Sequence, residues 1–196
     1  MTDTLPRELV GFFARAELFM ARVEASLPHG VEPPDWGASI AFRYRRRRSG
    51  QGVITPVQHV GAMSLDDLKE IDDQKEKIQR NTAQFVRGAT ANNVLLTGAR
   101  GTGKSSLIRA CLHTYAAQGL RLIEVDKADL VDLTDIVELV AQRPEKFIVF
   151  CDDLSFDEGE AGYKALKSVL DGSVAAATPN VLIYATSNRR HLLPEY

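Results

Sequence analysis

The sequence predicts an α/β protein: a parallel sheet with helices on both faces, preceded by a mostly helical N-terminal extension. Three observations carry this. From residue 64 onward, short apolar runs alternate with helical segments, the pattern of strands buried on both faces. One run, "NVLLT", falls directly into a glycine-rich loop that opens a helix. Another, "FIVFC", ends in two aspartates where a parallel strand would leave the sheet.

Bulk properties set the frame. The 196 residues are 44% apolar and 26% charged, enough to bury a substantial core. A net charge of -2 gives no global attraction to nucleic acid or anionic membrane. The 2 cysteines, Cys111 and Cys151, lie far apart inside apolar segments, too few for a disulfide scaffold and without metal-site spacing. Both read as buried reduced thiols. Asp3, Glu8, Glu17 and Glu24 interrupt any leader-like stretch, and no apolar run approaches a membrane span. The expectation is a cytoplasmic protein with no membrane partner.

Residues 5–27 form the first element. Leu5, Leu9, Phe12, Ala16, Phe19 and Val23 recur at spacings of four and three, with Phe13, Met20 and Leu27 widening the stripe. Pro6 suits a first turn and "PHG" at 28–30 ends the helix. The apolar face either packs on the rest of the chain or docks a partner or a second copy. "VEPPDWG" at 31–37 reads as a linker or turn. In "SIAFRYRRRRSGQGVITPV", Ile40, Phe42 and Tyr44 alternate with small or basic residues, and "SGQG" turns the chain toward a second strand at 53–57. Residues 1–63 are therefore read as an extension carrying a short hairpin, and residues 64–196 as the core.

The core opens with a helical stretch at 64–88, with Leu65, Leu68, Ile71, Ile78 and Phe85 as its apolar positions. Strands are expected at 93–97, 120–125, 147–151 and 180–186, and helices at 104–117, 133–142 and 160–171.

The loop "GARGTGKS", Gly98 to Ser105, has the P-loop spacing of glycine, four residues, glycine, lysine and serine, between a strand and a helix. Gly98, Gly101 and Gly103 permit backbone conformations and close approaches that a side chain would block. Successive N–H groups of Gly98, Ala99, Arg100, Gly101, Thr102, Gly103, Lys104, Ser105 and Ser106 can then wrap a phosphate at the positive end of the following helix. Lys104 would reach the β- and γ-phosphates of a nucleotide, and Ser105 would bind Mg²⁺. Asp152 is the expected Mg²⁺-side carboxylate, acting through water, at the strand end where open parallel sheets bind ligands. Asp153 is the base or water-orienting residue; the plainer alternative is that both aspartates cap the next helix. In "ATSNRR", Asn188 best fits a polar residue holding the attacking water, with Thr186 and Ser187 as neighbours of undecided register.

These motifs resemble those of AAA+ ATPases over residues 64–196. "VLLTGARGTGKSS" is similar to their Walker A, "FIVFCDDL" to Walker B and "LIYATSNRRHLLPE" to the sensor-1 strand. The exact wording of these stretches resembles a bacterial AAA+ ATP-binding family catalogued as a domain of unknown function, and the paired aspartates resemble replication initiators and helicase loaders. By the resemblance, "LDDLKEIDDQKEKI" lies against adenine and Ile71 contacts the base, although Glu70 stands where AAA+ proteins often have glycine. Asp153 replaces the usual Walker B glutamate and reaches one methylene less far, which implies slow hydrolysis. The resemblance also implies a last core strand, an arginine finger and a helical lid. The sequence ends at Tyr196, so the reading is of a core truncated before them; Arg189 and Arg190 come too early to serve as fingers. Active sites shared between copies of a homo-oligomer are expected. "DKADLVDL" lacks the aromatic pore loop of the unfoldases, which weakens a polypeptide-threading role.

"DKAD" at 126–129 has Asp126 where a guanine-reading motif has Asn, and it precedes the Walker B strand. A small-molecule kinase would carry an arginine-rich lid where "SFDEGEAGYK" is acidic. "RYRRRR", Arg43–Arg48, is either a nucleic-acid contact or a strand edge kept from pairing by like charges. The functional expectation is ATP–Mg²⁺ binding and hydrolysis coupled to assembly or remodelling of a partner. The alternative is a nucleic-acid-binding loader or initiator-like ATP switch with little turnover.

Overall fold

The computed structural model describes residues 7–26, 31–157, 159–171 and 178–189. Leu5, Pro6, Leu27, the "PHG" stop and Arg190 fall outside them. Helix α1 spans Arg7–Ser26. Its stripe does not pack on the core: Leu9, Phe12, Phe13, Phe19, Met20 and Val23 are each 41–68% exposed. The amphipathic period specifies a helix but carries no instruction about what covers its face.

Strands β1 (Ala41–Arg46) and β2 (Gly52–Pro56) form the expected hairpin, with Tyr44 opposite Ile54. The turn between them closes through the Gly50 N–H to Arg47 O bond. After a 3-10 turn at Leu65–Asp67 comes α2 (Asp72–Val86), then β3 (Val94–Thr97), α3 (Lys104–Tyr115) and β4 (Leu120–Val125). A 3-10 turn at Lys127–Asp132 leads into α4 (Leu133–Val140), followed by β5 (Lys146–Cys151), α5 (Ala161–Leu170) and β6 (Val181–Ser187).

The six strands make one sheet in the order β2-β1-β4-β5-β6-β3, antiparallel only between β1 and β2. This corrects the expected division at residue 63. β1 pairs in parallel with β4, Phe42 beside Ile123, so the hairpin continues the core sheet. The "linker" also contributes to the core. Trp36 is buried, its ring edge-on to Phe42 and Phe147, and Arg121 Nε donates to its carbonyl at 3.0 Å. A lone tryptophan between prolines and glycine has no periodicity to betray its burial.

Alternation along each strand builds two cores. Phe42, Ile123, Val149 and Ile183 meet α4 and α5 on one face. Leu122, Ile148, Phe150 and Tyr184 meet α2 and α3 on the other. Cys111 and Cys151 are buried free thiols, as expected.

The expected single helix at 64–88 is broken. Ser64 caps the 3-10 turn reciprocally with Asp67, Leu68 turns extended, and Glu70 takes φ 61 before α2 begins. A left-handed backbone favours glycine. The position where the AAA+ pattern often carries glycine thus has the conformation that glycine suits.

Candidate nucleotide site at the rim of the sheet

The parallel strands deliver three segments to their common C-terminal rim: the glycine loop after β3, the aspartates after β5 and the polar end of β6. Their convergence forms a cleft of about 400 Å³ lined by residues 100–106, Asp152, Asp153, Thr186 and Asn188.

The loop is tied to its neighbour at the start, where the Gly98 N–H donates to Ser187 O at 3.2 Å. Gly101 and Gly103 take φ 82 and 81, which side chains rarely adopt. Gly103 is also the N-cap of α3, and no side chain caps the first-turn amides there. Uncapped amides at a helix start are ready anion donors. Lys104 Nζ donates to the carbonyls of Gly98 and Ala99, each at 2.8 Å, and to Asn188 Oδ1 at 3.0 Å. The ammonium is thereby held over the loop with its three protons directed.

Ser105 Oγ donates to Asp152 Oδ1 at 2.6 Å. Thr186 Oγ1 donates to the same oxygen. Asn188 Nδ2 donates to Asp153 Oδ1. Lys104, Asn188 and Asp153 therefore form one chain of contacts, while Ser105, Asp152 and Thr186 form a second beside it. Asp153 stands at φ 53. Its N–H goes to Thr186 Oγ1 at 2.8 Å, and the Leu154 N–H goes to Thr186 O at 2.7 Å. Neither aspartate caps a helix; α5 starts later, with Glu160 at its N-cap.

The donor set suits magnesium with a nucleotide. A serine hydroxyl and a carboxylate are hard oxygen ligands, and Mg²⁺ takes one or two such groups with phosphates and waters completing its shell. Among the described residues no group of three His, Cys, Asp or Glu side chains could hold a metal.

The expected site residues divide as follows. Arg100, Gly101, Thr102, Gly103, Lys104, Ser105, Ser106, Asp152, Asp153 and Asn188 line the cleft. Gly98 and Ala99 sit behind it, offering their carbonyls to Lys104. Ile71 is not a lining residue, but a Cβ at Gly103 would lie 3.8 Å from Ile71 Cδ1 and from Leu68 Cδ2. These two side chains flank the loop at the start of α3. At the end of β6 both Thr186 and Asn188 line the cleft. Ser187 is buried, its hydroxyl donating to Leu154 O. The sequence offers Thr186 only as a neighbour of Asn188, yet its hydroxyl meets both aspartates. Two-residue alternation, which puts it on the same face as Asn188, was the available signal.

The arginine run splits. Arg43 pairs with Glu124 at 3.1 Å and Arg46 with Asp132 at 2.7 Å. Arg45, near the end of β1, and Arg47 and Arg48, in the turn after it, are exposed.

A mostly parallel sheet with a P-loop after β3 and paired aspartates after β5 resembles the fold of AAA+ P-loop ATPases. A mutant of RuvB from Thermotoga maritima has a TM-score of 0.50 at 17% identity, over 69% of this chain and 45% of that one. AMPPCP-bound DnaA from Aquifex aeolicus scores 0.47 at 16% identity, over 64% and 42%. At 17% identity the likeness to RuvB is one of fold. Replication factor C large subunit from Sulfolobus acidocaldarius is 26% identical over 114 residues, 55% of this chain and 26% of that protein. The chain thus spans about a quarter of its curated relative and less than half of either solved structure. Residues 37–196 match the family described as Protein of unknown function (DUF815), and the chain belongs to that family. Among the described residues, no helix is long and apolar enough to cross a membrane.

Proposed function

We propose that the protein binds ATP with Mg²⁺ and hydrolyses it, coupling nucleotide state to the assembly or remodelling of a partner. One observation carries the reading: Lys104, Ser105, Asp152, Asp153 and Asn188, from three separate elements, converge in one cleft at the sheet rim.

Each group has a role in the proposed cycle. Lys104 exchanges the carbonyls of Gly98 and Ala99 for phosphate oxygens. The loop amides and the α3 N-terminus hold the β- and γ-phosphates. Ser105 would hold the metal directly and Asp152 through water, and the ion would supply charge neutralisation to the phosphates. Asp153 accepts a proton from a water attacking the γ-phosphorus while the bond to the β–γ bridging oxygen breaks, giving ADP and phosphate. Asn188 orients that water and senses Lys104. Catalysis of this kind is mostly positioning and electrostatics. Ile71 and Leu68 form the apolar side of the adenine contact. A neighbouring copy would complete the site, in keeping with AAA+ relatives, and the compartment is the cytoplasm.

A second reading is favoured by the arginine run: Arg45, Arg47 and Arg48 are exposed and have no ion-pair partner among the described residues. They would grip a nucleic-acid backbone while ATP switches the assembly with little turnover. Binding of a fluorescent single strand that weakens steeply with salt supports it; salt-insensitive or absent binding removes it.

The first reading is tested by melting the full chain with ATP and Mg²⁺. A hundredfold excess over Kd should add about 2.7 kcal/mol of stability. No shift with ATP, ADP or a non-hydrolysable analogue would refute it.

A further inference from the structure

The Thr186 hydroxyl sits where the two aspartates are joined. It has one proton to give and lone pairs to accept with. The Asp153 N–H can only donate, so Thr186 Oγ1 accepts it, at 2.8 Å. An ionised Asp152 can only accept, so the Thr186 proton goes to Asp152 Oδ1. The direction of the chain, from amide to hydroxyl to carboxylate, is therefore fixed. Ser105 Oγ donates to that same oxygen, at 2.6 Å. Two hydroxyls saturate Oδ1 and leave Oδ2 to meet water or metal.

The peptide between the aspartates is also in an unusual state. Asp153 takes φ 53, a backbone that L residues hold only where the surroundings over-determine it. Thr186 provides that determination twice, through Oγ1 to the Asp153 N–H and through its carbonyl to the Leu154 N–H. Asn188, two residues on, then meets the Asp153 carboxylate.

We propose that Thr186 is a positioning residue whose hydroxyl sets the Asp152 carboxylate toward the metal and, at the same time, turns Asp153 toward the water. The inference rests on the ATP–Mg²⁺ reading of the cleft, and it couples the metal side to the water side through one side chain.

The test compares Thr186→Val, which keeps the shape and deletes the hydroxyl, with Thr186→Ser, which restores it. Three quantities are read in the full chain: the Mg²⁺ concentration giving half-maximal ATP binding, kcat and KM at saturating Mg²⁺, and amide hydrogen exchange at Asp153 without nucleotide. Thr186→Val should raise the Mg²⁺ midpoint by about tenfold or more, in line with second-sphere metal partners. It should lower kcat by a similar factor with KM nearly unchanged, and deprotect the Asp153 amide. Thr186→Ser should stay within about threefold of the unmodified chain on the same scale. A folded Thr186→Val with an unchanged Mg²⁺ midpoint and protected Asp153 overturns the proposal. So does a Thr186→Ser that fails as badly as the valine variant, because the methyl would then be the essential group. An unmodified chain whose ATP binding ignores Mg²⁺ overturns the underlying reading, and is recognised before any variant is compared.

Discussion

Ser105 and Asp152 touch, Oγ to Oδ1 at 2.6 Å, although 47 residues separate them in the chain. One opens α3 and the other follows β5, so the contact exists only because β5 and β3 flank β6 in a single sheet. A hydroxyl and a carboxylate in this relation are the hard-oxygen pair that would hold Mg²⁺, the serine directly and the aspartate through water.

Ser105→Ala should therefore weaken the Mg²⁺ dependence of nucleotide binding and leave metal-free binding nearly intact. A loss of tenfold to a hundredfold in apparent metal affinity is expected. Titrating Mg²⁺ against a fluorescent ATP analogue measures it; an unaltered midpoint would take Ser105 out of the metal site.

Asp153→Asn should keep ATP and lose turnover. The amide retains the shape and a hydrogen-bonding oxygen for Asn188 but accepts no proton. General-base removal costs roughly 10²–10⁴-fold in rate. Phosphate release at the wild-type rate would assign the base elsewhere.

Gly52→Ala should destabilise the edge of the sheet without touching the cleft. A Cβ there would fall 2.8 Å from Tyr44 Cε2 and 2.9 Å from Tyr44 Cζ. The ring cannot retreat, since it is buried and its hydroxyl donates to Asp132 at 2.7 Å. Overpacking of this kind costs about 1–3 kcal/mol. Chemical denaturation of the variant reads it directly, and a stability within error of wild type would contradict the tight seat of Tyr44.

Cys111 and Cys151 should resist thiol reagents at pH 8 until the protein unfolds. Burial pushes each thiol from its ordinary 9.0 up to about 12. The thiolate fraction of the folded chain is then on the order of one in ten thousand at that pH. The same shift has a stability consequence. A raised folded-state pKa contributes fully below the unfolded value and is lost as pH rises through the folded one, so the thiols favour unfolding progressively between 9.0 and about 12. Rapid labelling of folded protein at pH 8 would contradict their burial.

Much of this was legible in the sequence because it is local. The strand, glycine loop and helix at 94–115 announce themselves by composition and adjacency, and the aspartates by their place after five apolar residues. What escaped is set by long-range contact. Nothing near Ala41 says that β1 will pair with Leu122 and its neighbours, so the hairpin looked like part of an extension. Trp36 is a core residue only because Phe42 and Phe147 arrive on either side of it. Thr186 meets Asp152 and Asp153 because they directly follow the strand beside its own, a relation that requires the sheet order. In α1 the pattern specified the helix, and its exposed face shows that amphipathicity alone does not specify docking.

The most direct test is calorimetric titration of ATP–Mg²⁺ into the full chain and into Lys104→Ala. The ammonium now shared by Gly98, Ala99 and Asn188 is the group that must turn to the phosphates. Saturable binding by the unmodified chain, weakened roughly tenfold to a hundredfold by the substitution, is the expected result. Equal affinity in the two proteins, or no heat from folded wild type, would contradict the account at its centre.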